Sequence, residues 1–167
     1  VSGTYLTLTG GADSRYGLLS RTVQDSVLKD TTVKAEIVSK TAWNSMVSIY
    51  SGNGSGPYDK FIEFGIEDGV LKVYGDGLTP WSGGAASLPA TLKIVVGHKK
   101  GNVRDFTFYY NDTQVYSVSN FSNIGDNFQV LIYGWGSGNT VWDSISIYQN
   151  DLYDGFDGTS LHPHFTP

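Results

Sequence analysis

The chain has 167 residues, carries a net charge of −5 at neutral pH, and contains no cysteine. That length suits one domain with a full core, and the acid excess argues against a phosphate-backbone partner. The missing cysteines exclude disulfides and thiolate metal sites. Twenty-one glycines, eleven tyrosines and only 16% charged residues are the composition of a turn-rich β protein. No apolar run approaches ~18 residues, so no membrane-spanning helix is expected. Val1 stands where an initiator methionine would, which points to a processed or excerpted chain and, with the composition, to an extracellular or cell-surface setting.

Residues 4–9 alternate, with Leu6 and Leu8 on one face, and predict a half-buried strand. Residues 10–14 form a loop, and strands are expected over 17–22 and 31–39. In the second, Val33, Ala35 and Ile37 point one way while Lys34 and Glu36 point the other, the pattern of an antiparallel sheet with one wet face. A strand over 45–50 leads into a Gly/Ser-rich loop at 51–57. Residues 61–67 and 70–74 flank Asp68-Gly69, the strongest short-range hairpin signal in the chain.

Residues 75–90 read as a Gly/Pro-rich connection carrying Trp81. A meander follows: a strand over 92–97, a turn at 99–102, a strand over 106–110, a turn at Asn111-Asp112, and a strand over 115–118. Residues 128–133 are apolar on both faces, which predicts a central strand. Residues 142–148 make the last strand of the body. No segment keeps a 3.6-residue period over ten residues, and about a dozen short strands predict a sandwich or jelly roll.

Three stretches carry a resemblance to a known family. The hairpin at 61–74 (FIEFGIEDGVLKVY) is similar to one of laminin G domains, and the meander at 91–118 resembles their central three strands. The strand at 142–148, entered through Asp143, resembles the closing strand. Together they resemble the concanavalin A-like lectin, glucanase and laminin G superfamily over nearly the whole chain. The implied fold is all-β, an antiparallel two-sheet jelly-roll sandwich in one domain, 1–167.

The end of the chain reads like the start of such a domain. Leu152, Tyr153, Phe156 and Leu161 sit in a short apolar segment broken by a Gly/Thr/Ser turn and a proline. Joined tail to head, the text would continue into residues 1–9. The chain thus resembles the family with its first strand displaced to 152–167, beyond a body of 1–149. The family's first and last strands lie side by side, so Asn150-Asp151 is expected to act as a two-residue hairpin turn or hinge. Three outcomes stay open. The tail closes its own sandwich as a circular permutant; it completes a neighbouring copy and builds a head-to-tail filament or surface layer; or the chain is one repeat of a tandem array.

Glu63 and Glu67 share a strand face by alternation. Family 16 glycoside hydrolases, on the same resemblance, carry two glutamates so placed with an aspartate between them. Here Gly65 takes that middle position, so the pair is read as solvated glutamates and the protein as non-catalytic. His98, His162 and His164 have no motif around them. The resemblance also implies a structural Ca²⁺, with Asp143 in the closing strand and Asp154 and Asp157 in the displaced one; turn-capping aspartates are the equal alternative. Trp43, Trp81 and Trp135 are candidate platforms for a sugar ring, whereas Trp142 reads as core. Sequons at Asn53, Asn111 and Asn120 are candidate glycosylation positions. Two functions follow: a self-assembling structural subunit whose partners are copies of itself, or a carbohydrate-binding module that takes polysaccharide.

Overall fold

The computed structural model describes residues 5–12, 15–19, 23–24, 29–51, 60–122, 124–125 and 127–151. Among these, thirteen strands and no helix occur. They are β1 (Leu6–Gly10), β2 (Arg15–Leu19), β3 (Val23–Gln24), β4 (Lys29–Lys40), β5 (Asn44–Tyr50), β6 (Phe61–Glu67) and β7 (Val70–Gly75). After these come β8 (Trp81–Ala85), β9 (Ala90–Val96), β10 (Arg104–Tyr110), β11 (Thr113–Phe121), β12 (Asn127–Trp135) and β13 (Gly138–Asp151). One sheet has six strands in the order β1-β13-β4-β9-β10-β11. The other runs β2-β12-β5-β6-β7-β8, with β3 also pairing β12. Every pairing is antiparallel. The fold is the expected two-sheet jelly-roll sandwich.

Alternation builds the core. Val33, Ala35 and Ile37 of β4, with Leu92, Ile94 and Val96 of β9, are buried between the sheets. Opposite them lie Val47 and Ile49 of β5, Ile62, Phe64 and Ile66 of β6, and Phe128, Val130 and Ile132 of β12. Phe64 and Phe108 meet from opposite sheets with ring centroids 5.5 Å apart. The Asp68-Gly69 turn has positive φ at both residues (47° and 74°), as a two-residue hairpin matched to strand twist requires. Asn111 and Asp112 do the same between β10 and β11 (47° and 61°).

Three expectations are corrected. The connection at 75–90 contains a strand, β8, which pairs with β7 as the edge of the seven-stranded sheet. The second strand lies at Arg15–Leu19, two residues earlier than its pattern suggested. The last strand does not turn at Asn150-Asp151: β13 runs through both, and they pair with Asp30 and Lys29 because β4 extends the ladder to meet them. The edge of β13 itself is covered in part. β1 lies along it from Leu6 opposite Trp142 to Gly10 opposite Gly138. From Asp143 onward no strand among the described residues pairs with that edge. Leu152, Tyr153, Phe156 and Leu161 lie outside the described residues.

Candidate functional site

In β6 the core takes Ile62, Phe64 and Ile66, which leaves Glu63, Gly65 and Glu67 on the outer face of the seven-stranded sheet. Register extends this face into rows. Trp135, Asn44, Glu67 and Val70 form one; Tyr133, Met46, Gly65, Lys72 and Ser82 the next; Leu131, Ser48, Glu63 and Tyr74 the third. Two tyrosines reach diagonally between rows. The phenol of Tyr133 donates to Oε2 of Glu63 at 2.8 Å, and that of Tyr74 donates to Oε1 of Glu67 at 2.9 Å. Desolvation, together with the bond to Glu67 and its charge, pushes the Tyr74 phenol up to about 12.

Glu63 is therefore not solvated as expected, being only 6% exposed, whereas Glu67 is partly exposed. Gly65 between them is obligatory. A Cβ there would stand 2.2 Å from the Ser45 carbonyl oxygen and 2.5 Å from the Met46 sulfur. An aspartate cannot occupy that position in this backbone, so the middle member of a family 16 constellation has no room.

Asn44 sits 5% exposed between Trp135 and Glu67, and its Oδ1 has no hydrogen-bond partner among the described residues. A buried acceptor of this kind is ordinarily completed by water or a ligand donor. The sequence offered one signal for it: NSMVSIY puts three polar residues into a strand whose first six residues are all buried.

At the same end of the sheet, residues 41–43 form a short turn that is held on several sides. Thr41 and Ala42 donate to the Asn139 carbonyl, and Asp68 donates to the Trp43 carbonyl at 3.0 Å. Lys40 donates from Nζ to the carbonyls of Ala42 and Trp43 at 2.9 and 2.8 Å. Desolvation lowers the pKa of this half-buried lysine, against the opposing charges of Asp68 and Glu67. The turn presents Trp43 with 52% of its surface exposed. Gly136, next to Trp135, lies so close that a Cβ there would be 3.3 Å from the Trp43 Cβ. Trp135, Asn44 and Glu67 thus share the end row of the outer face, Tyr74 reaches it through its bond to Glu67, and Trp43 stands on the turn that leads into it. Trp81 is not among them. Its ring stacks on Tyr116 at 4.8 Å and packs against the core, joining the two edge strands β8 and β11.

Asp143 lies on the other sheet. Between Trp142, opposite Ile37, and Ser144, opposite Glu36, β13 carries one extra residue, and this bulge leaves both Asp143 and Ser144 exposed. Glu36 bonds Lys34 at 2.9 Å, and that bond, assisted by Ser144 and Asp143, holds its carboxyl below the usual range. Asp143 and Glu36 border a groove of about 360 Å³ that also involves Tyr5, Val38, Thr91 and Asn111. Asp154 and Asp157 lie outside the described residues. Among the described ones no group of three or more His, Cys, Asp or Glu could hold a metal ion, and the two carboxylates at Asp143 fall short of the roughly six to eight oxygens Ca²⁺ takes.

Of the sequons, Asn111 uses its Oδ1 to accept from the Thr91 amide at 2.8 Å, and Asn120 is exposed at a positive φ of 57°. Asn53 lies outside the described residues, as do His162 and His164. His98 is tied to Asp30 through its backbone amide (2.8 Å) and its ring (3.1 Å).

No family model matches the sequence, and a search of curated proteins finds no relative. Solved structures do match in fold. The carbohydrate binding module CBM66 from Bacillus subtilis superposes with a TM-score of 0.54 at 10% identity, over 87% of this chain and 91% of that one. The carbohydrate recognition domain of Emp46p, in its metal-free form, gives 0.57 at 12% identity, over 85% and 81%. A Bacteroides ovatus mixed-linkage glucan GH16 in complex with product gives 0.59 at 11%, over 89% and 82%. The fold is the concanavalin A-like jelly roll, which these binding modules and this enzyme have in common.

Proposed function

We propose that this concanavalin A-like sandwich is a non-catalytic, extracellular carbohydrate-binding module that takes polysaccharide at the turn end of its seven-stranded sheet. The observation that carries this reading is Trp43, half exposed on a turn pinned by five main-chain and lysine hydrogen bonds, beside the Trp135–Asn44–Glu67 row. An indole face packs on the apolar face of a pyranose ring, and a turn whose backbone is already held in place loses little backbone freedom on binding. Asn44 and Glu67 supply acceptors for sugar hydroxyls at the ring's edge, and Tyr74 and Trp135 border them. Two of the named fold neighbours are carbohydrate-binding by title, which supports the same reading. Affinity electrophoresis in gels cast with neutral polysaccharides tests it. Retardation of the wild type in at least one gel, abolished by Trp43→Ala, is the expected result; equal mobility of both proteins in every gel refutes it.

One observation favours a second reading, the self-assembling subunit. The edge of β13 from Asp143 through Tyr148 has no strand partner among the described residues, and the inward-facing Ile145 and Ile147 are only partly covered there. An extended segment could add to such an edge, either the chain's own residues 152–167 or those of a neighbouring copy. Sedimentation velocity of the whole chain, with and without 152–167, separates the cases. Oligomers that vanish on truncation support strand donation, whereas a monomer before truncation contradicts it.

A further inference from the structure

We propose that the groove on the outer face of the six-stranded sheet is a second sugar site, separate from the first, that takes one neutral hexose unit. Its floor follows from register. Ser144, Glu36 and Thr91 stand in one row across β13, β4 and β9, a carboxylate flanked by two hydroxyls. The bulge in β13 adds Asp143 to this row where a regular strand would have supplied one outward side chain. Tyr5 precedes Leu6, which pairs with Trp142, so the tyrosine stands beside Asp143 at the groove's edge; 53% of its surface is exposed. Val38, two residues from Glu36 on the same face, adds an apolar patch.

These groups match a sugar ring in kind. A hexose presents a belt of hydroxyls that carboxylates accept in pairs, and an apolar face that an aromatic ring covers. The volume, about 360 Å³, sits at the small end of ligand pockets and fits one ring rather than a folded partner element. Charge narrows the class. Two carboxylates repel uronates, sulfated sugars and phosphates, while Lys34 already pairs with Glu36 at 2.9 Å and removes much of the attraction for a bare cation. A neutral hexose is what remains. The site lies on the opposite sheet from the Trp135–Asn44–Glu67 row and does not depend on that surface binding anything.

The test is residue-resolved NMR of the whole ¹⁵N-labelled chain titrated with methyl glucosides, galactosides and mannosides. At least one glycoside is expected to shift the amides of Glu36, Thr91 and Asp143 saturably. Tyr5→Ala and Asp143→Asn, both at exposed positions, should each weaken that binding about tenfold without altering the rest of the spectrum. Absence of shifts at these amides with every glycoside overturns the proposal, as do shifts unaffected by both substitutions. Tetramethylammonium shifting the same amides where no glycoside does would assign the groove to cations and overturn it too. Shifts at Asn44 and Trp135 report the first surface independently, so either site can fail while the other stands.

Discussion

The phenol of Tyr133, on β12, crosses the intervening β5 to donate to Glu63 on β6 at 2.8 Å. Both side chains are on the outer face of their sheet, yet Tyr133 is 1% and Glu63 6% exposed. The centre of this face is therefore packed at Tyr133, Met46 and Glu63, while Ser82 and Gly17 toward its edges are exposed.

Removing the Tyr133 hydroxyl takes a donor from a buried carboxylate. Tyr133→Phe is expected to cost about 1.5–3 kcal/mol, the range for hydrogen bonds to charged groups. Urea denaturation measures it, and Glu63→Gln, which removes the charge needing that donor, should cost less than Tyr133→Phe.

Gly65→Ala drives a methyl into the Ser45 carbonyl and the Met46 side chain. Backbone is one of the two obstacles, so relaxation is limited, and the loss should exceed about 3 kcal/mol, beyond the usual overpacking range. Thermal melts would show it as a large fall in Tm or a failure to fold. A near-neutral result would mean that β5 and β6 separate at this row.

Tyr74 gives an alkaline signature. Its phenol titrates at about 12 when folded, against an ordinary value of 10.0. Between those values the unfolded chain has released a proton that the folded chain retains, so stability falls as pH rises from 10 toward 12. Ultraviolet titration should show a late phenol that Tyr74→Phe removes, together with a shallower alkaline loss of stability.

Asp105 acts at the other end of the scale. The Asn120 amide, then the Lys100 ammonium, hold its carboxyl below the ordinary 3.8. Its contribution is present above that value and disappears as pH falls through the lowered one. Asp105→Asn should flatten the acid limb of a stability–pH curve while leaving the alkaline limb unchanged.

The hairpin at Asp68-Gly69 and the inward set Val33, Ala35 and Ile37 were legible because turn chemistry and two-residue alternation are local signals. β8 was not: WSGGA has little strand preference, and it is recruited by the open edge of β7 and by Trp81 stacking on Tyr116. Asn150 and Asp151 carry turn propensity, but the ladder with Asp30 and Lys29 outweighs it. The bulge at Asp143 did leave a trace. Trp142 faces inward and so does Ile145, three residues on, where unbroken alternation would require an even spacing. That Trp43 and Trp135 share an end while Trp81 does not is set by sheet order, which alternation does not encode.

Carbohydrate binding at the seven-stranded sheet is tested most directly by calorimetric titration of the best-retarding polysaccharide into the wild type and Trp43→Ala, with Tyr5→Ala as a control from the opposite sheet. The prediction is saturable binding by the wild type, an affinity at least about tenfold weaker for Trp43→Ala, and a binding phase at the Trp43 surface that Tyr5→Ala leaves intact. Equal affinities for the wild type and Trp43→Ala, or no heat from any of them, would contradict it.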